Sequence, residues 1–355
     1  MSNDKVKSIF RFILKVLFCF IVLFAIIVFV VINYDHSLVS SMEAIREKED
    51  YYVNPYYSKD LEITMVDVGQ GDGFVFTIDD KVVVVDCGPM HNYTKMTDYL
   101  ESIGCKEINL LILTHPHQDH FGGLSSILST FRVDKIYTTR ITSKVHKSFL
   151  EKMQLIYYNH IIGLFNKVNN YDRVKSIYYK DSTLKKISVT DDLQIRFLSP
   201  EKAWPESINN NSIVFLLSYK DVRALFTGDI EIEQEERLIN EYESELRNLD
   251  ILKISHHGSY TSSSIRFLKV THPEIVLLSC GFGNKYKHPH MSSITRLEIM
   301  SGKIYRTDET GTISLVIKNS DDIEANTVEG DYASGETVKK TGKASSLGRT
   351  SRNYD

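Results

Sequence analysis

Between residues 115 and 120 the chain reads His-Pro-His-Gln-Asp-His, and Gly122-Gly123 follow at once. Three imidazoles and a carboxylate at this spacing form a donor set for a transition metal of the zinc or manganese kind. His115 and His117, two apart at a strand end, can point to one side and share a cation. Asp119 and His120, beyond the turn, can reach a second. The alternative is a polar loop that happens to be rich in histidine, but further donors downstream argue against it. Thr227-Gly228-Asp229 presents an aspartate whose two oxygens can bridge two cations. Ser255-His256-His257-Gly258-Ser259 presents two more imidazoles, and Gly283–Pro289 carries His288. Two cations a few Å apart can bring the pKa of a water held between them near neutrality and stabilise charge developing on a phosphoryl or carbonyl oxygen.

The elements that must position these residues are short apolar runs. Leu110–Leu113 precedes the first histidines, Val222–Phe226 precedes Asp229, and Ile251–Lys253 precedes His256 and His257. Each reads as a buried strand. Residues 61–73 read as a strand ending in a Gly- and Asp-rich turn, residues 82–88 as a buried strand ending in Asp86 and Gly88, and Phe74–Ile78 pairs with Lys81–Asp86 in a hairpin through Asp79-Asp80. Asp86 either orients the metal loop or is a plain turn residue. Further strands are expected at 173–179, 193–198, 275–280, 303–306 and 312–317. Helices are expected at 97–102, over most of 124–170 around a short strand near Lys135–Tyr137, at 231–247 and at 292–300. His146 and His160, single histidines in the helical stretch, are left out of the site. Alternating strands and helices with donors at strand ends describe an α/β enzyme.

The net charge of −4 and pI near 6.3 give no bulk electrostatic support for nucleic-acid binding. Cys19, Cys87, Cys105 and Cys280 contain no CxxC, so neither a thiolate zinc site nor a disulfide framework is indicated, and a long-range pair stays open. Val16–Ile32 is uncharged and almost wholly apolar. With Ile13, Leu14 and a snorkelling Lys15 it reaches the roughly 20 residues of a bilayer helix. Lys5, Lys7, Arg11 and Lys15 precede it, which places the N terminus in the cytoplasm and the rest outside. The expected organisation is a single-pass cell-membrane anchor at 1–33, a stalk at 34–60, a globular domain at 61–318 and a disordered polar tail at 319–355. A cleaved signal peptide is the alternative for the first segment, but the run is long and no cleavage-type site follows closely.

His115–His120, Thr227–Asp229 and Ser255–Ser259 together resemble the metallo-β-lactamase fold. VDVGQGD at 66–72, DCG at 86–88, NNNS at 209–212, LKISHHGS at 252–259, GNKYKHP at 283–289 and YRTDETG at 305–311 resemble, within it, the hydrolase-like domain of ComEC competence proteins. The resemblance implies an αββα four-layer sandwich with one or two divalent metal ions, zinc or manganese, at one edge. It implies that His115 and His117 hold one metal, that Asp119, His120 and His256 hold the other, and that Asp229 bridges them. Asp119 is also placed among the catalytic residues. The fold's usual extra histidine is missing, and NNNS falls in its place, so Asn210 or Ser212, water or substrate would complete the first site. Asn210, Ser212 and His257 are accordingly expected on the substrate side, and His288 is expected to donate a proton or hydrogen bond to the leaving oxygen. The implied activity is a metal-dependent phosphodiesterase or nuclease, with DNA or another extracellular phosphodiester as substrate. A hydrolase of another ester, phosphoester or lactam, and a non-catalytic DNA-uptake or envelope module, are the alternatives.

Overall fold

The computed structural model describes residues 3–48, 53–139, 148–169, 173–177, 186–200, 204, 206–329 and 339–343. His146 lies outside them.

The strands are built from apolar runs whose alternate residues serve two different cores. In β2 (Phe74–Ile78) and β3 (Lys81–Val85), Phe74, Phe76, Val83 and Val85 face the opposing sheet, while Val75, Val82 and Val84 face helices. A strand buried on both faces needs no polar alternation, which is why these runs read as continuous valine and phenylalanine. The same parity recurs in the second half of the chain, where Phe215 and Leu217 point one way and Val214 and Leu216 the other. Between the sheets the aromatic rings interlock: Phe226 stacks on Phe215 at 5.0 Å and meets Phe74 and Phe76 at 5.4 and 4.9 Å.

The first sheet also contains β1 (Leu61–Met65), β5 (Leu110–Leu113), β7 (Ile136–Thr139), β8 (Val174–Ile177), β16 (Ile313–Asn319), β17 (Asp322–Glu329) and β18 (Lys339–Lys343). Its order is β18-β17-β16-β1-β2-β3-β5-β7-β8. A small parallel pair, β4 (Glu107–Ile108) and β6 (Arg132–Val133), stands apart. The second sheet has the order β15-β14-β13-β12-β11-β10-β9, from β9 (Lys186–Ser188), β10 (Leu193–Ser199), β11 (Val214–Tyr219), β12 (Val222–Phe226), β13 (Ile251–Lys253), β14 (Ile275–Leu278) and β15 (Lys303–Arg306). Helices α1 (Asn3–Glu47), α2 (Lys95–Ser102), α4 (Leu124–Thr130) and α5 (Phe149–Val168) cover the first sheet, with α3 (Gln118–Phe121) a single turn at its edge. Helices α6 (Ile232–Leu246), α7 (Ile265–Thr271) and α8 (Met291–Met300) cover the second. The four layers are those expected. In the parallel part of each sheet the donors leave strand C-terminal ends, at β5, β12 and β13.

Two expectations change. Residues 34–47 are not a separate stalk: α1 runs unbroken through them, and Leu38 and Met42, four apart on one face, are buried against the domain. The polar tail does not begin at 319, because β17 pairs with β16 along its length and buries Ala325 and Val328. Its alternation is carried by small or scattered apolar residues among charges, too weak to read as a strand. The side chains of residues 3–14, 17, 19–21, 23–25, 27 and 28 lie outside the description, and among the described residues no helix is long and apolar enough to cross a membrane. Cys87, Cys105 and Cys280 are buried free thiols.

Candidate metal centre

The turn after β5 is held from beneath by Asp86. This fully buried carboxylate accepts hydrogen bonds from the Thr114 amide at 2.8 Å and the Thr114 hydroxyl at 2.7 Å. It also stands 2.8 Å from His120 Nδ1, which turns Nε2 of that ring toward the site. Asp86 is therefore an orienting residue and not merely part of a turn. The VGQGD turn lies directly under the same loop: the Asp72 amide donates to the Asp119 carbonyl at 3.1 Å. Gly71, at φ +151°, leaves no room for a side chain, since a Cβ there would lie 2.2 Å from that carbonyl oxygen.

Four of the expected residues converge on Asp229. His120 Nε2 lies 3.1 Å from Asp229 Oδ2, and His115 Nε2 lies 3.8 Å from the same oxygen. His117 joins through His115, its Nδ1 being 3.0 Å from His115 Nε2. Asp119 Oδ2 approaches from the other side, 3.5 Å from a histidine of the second turn. That histidine is His257, not His256. His257 Nε2 is 3.4 Å from Asp229 Oδ2, while its Nδ1 donates to the Ser279 carbonyl at 2.9 Å, which fixes the tautomer. His256 stands beside it in the cleft wall, with Nδ1 3.4 Å from Thr261 Oγ1 and 3.9 Å from Glu231 Oε1. His256, His257 and Gly258 all have positive φ, so this turn is a left-handed coil in which strand parity does not carry over from β13.

Asn210 and Ser212 also stand elsewhere than expected. Both are buried, and both face the backbone of the bridging loop. Ser212 Oγ accepts from the Asp229 amide at 3.1 Å, and Asn210 Oδ1 accepts from the Glu231 amide at 2.7 Å. An Asn-rich turn thus satisfies the amides that follow β12 and leaves the Asp229 carboxylate to the surrounding histidines. Gly228, at φ +54°, sits against Ser212, where a Cβ would come within 2.8 Å of the serine Cβ. His288 lies where expected, its ring 5.4 Å from His256 and 6.3 Å from His257. Burial, then the neighbouring His257, His256 and His290, lowers its pKa to about 4. At neutral pH it offers an uncharged N–H rather than a mobile proton.

Sequence reasoning missed Asp72 and Lys253. Lys253 is buried at the end of β13, where its ammonium pairs with Asp72, donates to the Gly228 carbonyl at 2.8 Å and lies 3.7 Å from Asp229 Oδ1. A lone lysine inside an apolar strand is itself a signal, because a charge is buried only against a partner. Burial disfavours its charge, but Asp72 and Asp229 outweigh that and raise its pKa.

The donor set fits a cation. His115, His120 and Asp229 bring ligand atoms within 4.8 Å of one another, as do Asp119, His120 and His257. Buried His257 Nε2 and Asp229 Oδ1 have no hydrogen-bond partner among the described residues; the first faces Asp119 and Asp229 Oδ2, and the second lies 3.7 Å from Lys253 Nζ. The electrostatics agree. Burial opposes charge on His120 and His257, yet Asp229, helped by Asp86 at one ring and Asp72 at the other, holds both well above the ordinary imidazole range. Buried His115, flanked by His120 and His117, is pushed well below it. The carboxylates therefore carry charge that a cation would neutralise. Groupings around Asp72 are geometrically similar, but Lys253 already supplies the positive charge there. The site opens into a cleft of ≈ 1050 Å³ lined by His117, Asp119, His256, His288, Tyr286 and the N-terminal half of α5.

Residues 66–281 match the metallo-beta-lactamase superfamily. The chain belongs to that superfamily. Its relatives include competence proteins of the ComEC family. It is 28% identical to ComE operon protein 3 of Bacillus subtilis, over 76% of this chain and 34% of that one. It is 26% identical to competence protein ComA of Neisseria gonorrhoeae, over 71% and 31% respectively. The chain thus spans about a third of the length of these relatives. Among solved structures it is similar to the metallo-beta-lactamase fold protein YhfI from Bacillus subtilis, at 16% identity and a TM-score of 0.41, over 70% of this chain and 96% of that one. Among the described residues between His120 and Asp229 the one histidine is His160, which pairs with Asp35 at 2.8 Å and takes no part in the site.

Proposed function

We propose that this chain is a membrane-anchored, extracytoplasmic metal-dependent hydrolase that cleaves phosphodiester bonds, with DNA as the first substrate to test. The observation that carries the reading is the convergence of His115, His120, Asp119 and His257 on Asp229, with buried His257 Nε2 left without a hydrogen-bond partner among the described residues. His115, His117 and Asp229 would hold one divalent cation, and Asp119, His120, His257 and Asp229 a second. Such ions supply Lewis-acid stabilisation and an activated water. The protein's own part is to keep the donors fixed. Asp86 orients His120, the Ser279 carbonyl keeps His257 Nε2 aimed inward, and Ser212 and Lys253 hold the Asp229 loop. His288, uncharged at the cleft wall, is placed to donate a hydrogen bond to a phosphate or leaving oxygen. The competence relatives support DNA as substrate, and the charge asymmetry around Val16–Ile32 supports an outward-facing domain.

The test is hydrolysis by the full chain, with zinc and with manganese, of single-stranded DNA, double-stranded DNA, bis-p-nitrophenyl phosphate and nitrocefin. Turnover of the phosphodiesters and not of nitrocefin is expected. Turnover confined to nitrocefin or to carboxylic esters would contradict the substrate assignment.

A further inference from the structure

Helix α5 carries an exposed apolar stripe that nothing among the described residues covers. Phe149, Leu150, Met153 and Ile156 are 75%, 71%, 50% and 61% exposed, and they recur at helical spacing along the first two turns. The C-terminal half of the same helix is docked on α1. Tyr157 Oη meets Tyr34 Oη at 3.2 Å, His160 meets Asp35 at 2.8 Å, and the Val168 carbonyl accepts from Arg46 at 2.5 Å. The sequence separations of these three contacts are 123, 125 and 122. A nearly constant separation means that α1 and α5 run in the same direction with little slip, both rising by about 1.5 Å per residue.

Carried toward the N termini, this register sets Phe149, Leu150, Met153 and Ile156 level with residues 26–33 of α1. That is the C-terminal end of the apolar run Val16–Ile32, and Ile26, Phe29, Val30, Val31 and Ile32 are likewise exposed there. Two uncovered apolar surfaces therefore lie at one height on neighbouring helices. We infer that the N-terminal half of α5 seats in the bilayer surface beside the anchor, so that the hydrolytic cleft opens at the membrane. This rests on the anchor reading of residues 16–32. An apolar stripe flanked by Glu151 and Lys152 is the composition of a helix lying at the headgroup–acyl boundary. The link to the site is direct: Leu150, Met153 and Tyr157 line the cleft, and Glu151 Oε1 lies 3.9 Å from His117 Nε2. A polymer reaching the metal donors from this side travels along the membrane surface.

The experiment introduces one tryptophan at a time into the full chain, as Phe29→Trp, Met153→Trp, Ile156→Trp or Ile299→Trp, in phosphatidylcholine–phosphatidylglycerol vesicles. Quenching by lipids brominated near the headgroup end of the acyl chain is read as the difference from the parent chain, whose one tryptophan is Trp204. All four positions have exposed side chains. Loss of the added emission at Phe29→Trp, Met153→Trp and Ile156→Trp, and not at Ile299→Trp on α8, is expected. Quenching at Phe29→Trp with none at Met153→Trp and Ile156→Trp overturns the inference and leaves the anchor standing. No quenching at any position overturns both. Equal quenching at Ile299→Trp also overturns it, because the domain then lies on the bilayer without a defined face.

Discussion

The turn after β5 and the turn after β13 both deliver histidines to the same carboxylate, but they do so by different means. The first follows its strand through Thr114, is clamped by Asp86 and passes into the single helical turn of α3. Every donor expected from its spacing reaches the cluster. The second coils left-handedly through His256, His257 and Gly258, and it brings His257 Nε2 against the carboxylate while His256 Nδ1 faces Thr261. Where the backbone stays extended or helical, spacing fixes direction. Where successive residues take positive φ, neighbours must be told apart by what fixes each ring, here the Ser279 carbonyl at His257.

The sharpest way to break this comparison is to remove the two neighbours separately. His257→Ala should strip bound metal and lower turnover by more than the ~10–100-fold typical of residues that merely support a ligand. His256→Ala should keep the metal and leave most of the turnover. Metal content by mass spectrometry and steady-state rates measure both, and the reverse pattern would restore His256 as the ligand.

The supports of the two turns come next. Lys253→Met leaves Asp72 buried without its cation and should cost roughly 3–5 kcal/mol of stability. Denaturant unfolding measures this, and adding Asp72→Leu should recover part of the loss; no loss in the single variant would mean that the pair does not hold the second turn. Asp86→Asn keeps an acceptor for the Thr114 amide but weakens the orienting contact to His120. It should lower metal affinity by ~10–100-fold with the fold retained, as read by competition with a fluorescent chelator. Ser212→Ala leaves the buried Asp229 amide without its acceptor, a loss of about 1–3 kcal/mol. An unchanged unfolding midpoint would mean that the NNNS turn does not support the bridging loop.

Much of the layered fold was legible because its strands are apolar on both faces, and runs such as Val82–Val85 have few other readings. The ligand-bearing turns were legible because histidine and aspartate at strand ends have a chemistry of their own. Asp72 was not, since an aspartate in a Gly-rich turn looks ordinary until sheet packing brings Lys253 beside it, and Lys253 in its apolar strand signals only that some buried partner exists. Asn210 and Ser212 were read as substrate-facing because polar residues near a site suggest contact with a ligand. In the fold they satisfy backbone amides, a role that depends on a partner 17 or 21 residues away. The docked half of α1 was hidden by its Ser, Glu and Lys content, although Leu38 and Met42 already carried the spacing of a buried face.

The most direct test of the central claim is the metal dependence of the full chain. The protein is stripped with a chelator, dialysed, and titrated with zinc or manganese while bound metal and hydrolysis of bis-p-nitrophenyl phosphate are followed together. Activity should vanish on stripping and return in step with metal binding, and Asp229→Ala should neither bind nor recover. Turnover that survives stripping, or that Asp229→Ala retains, would contradict the account.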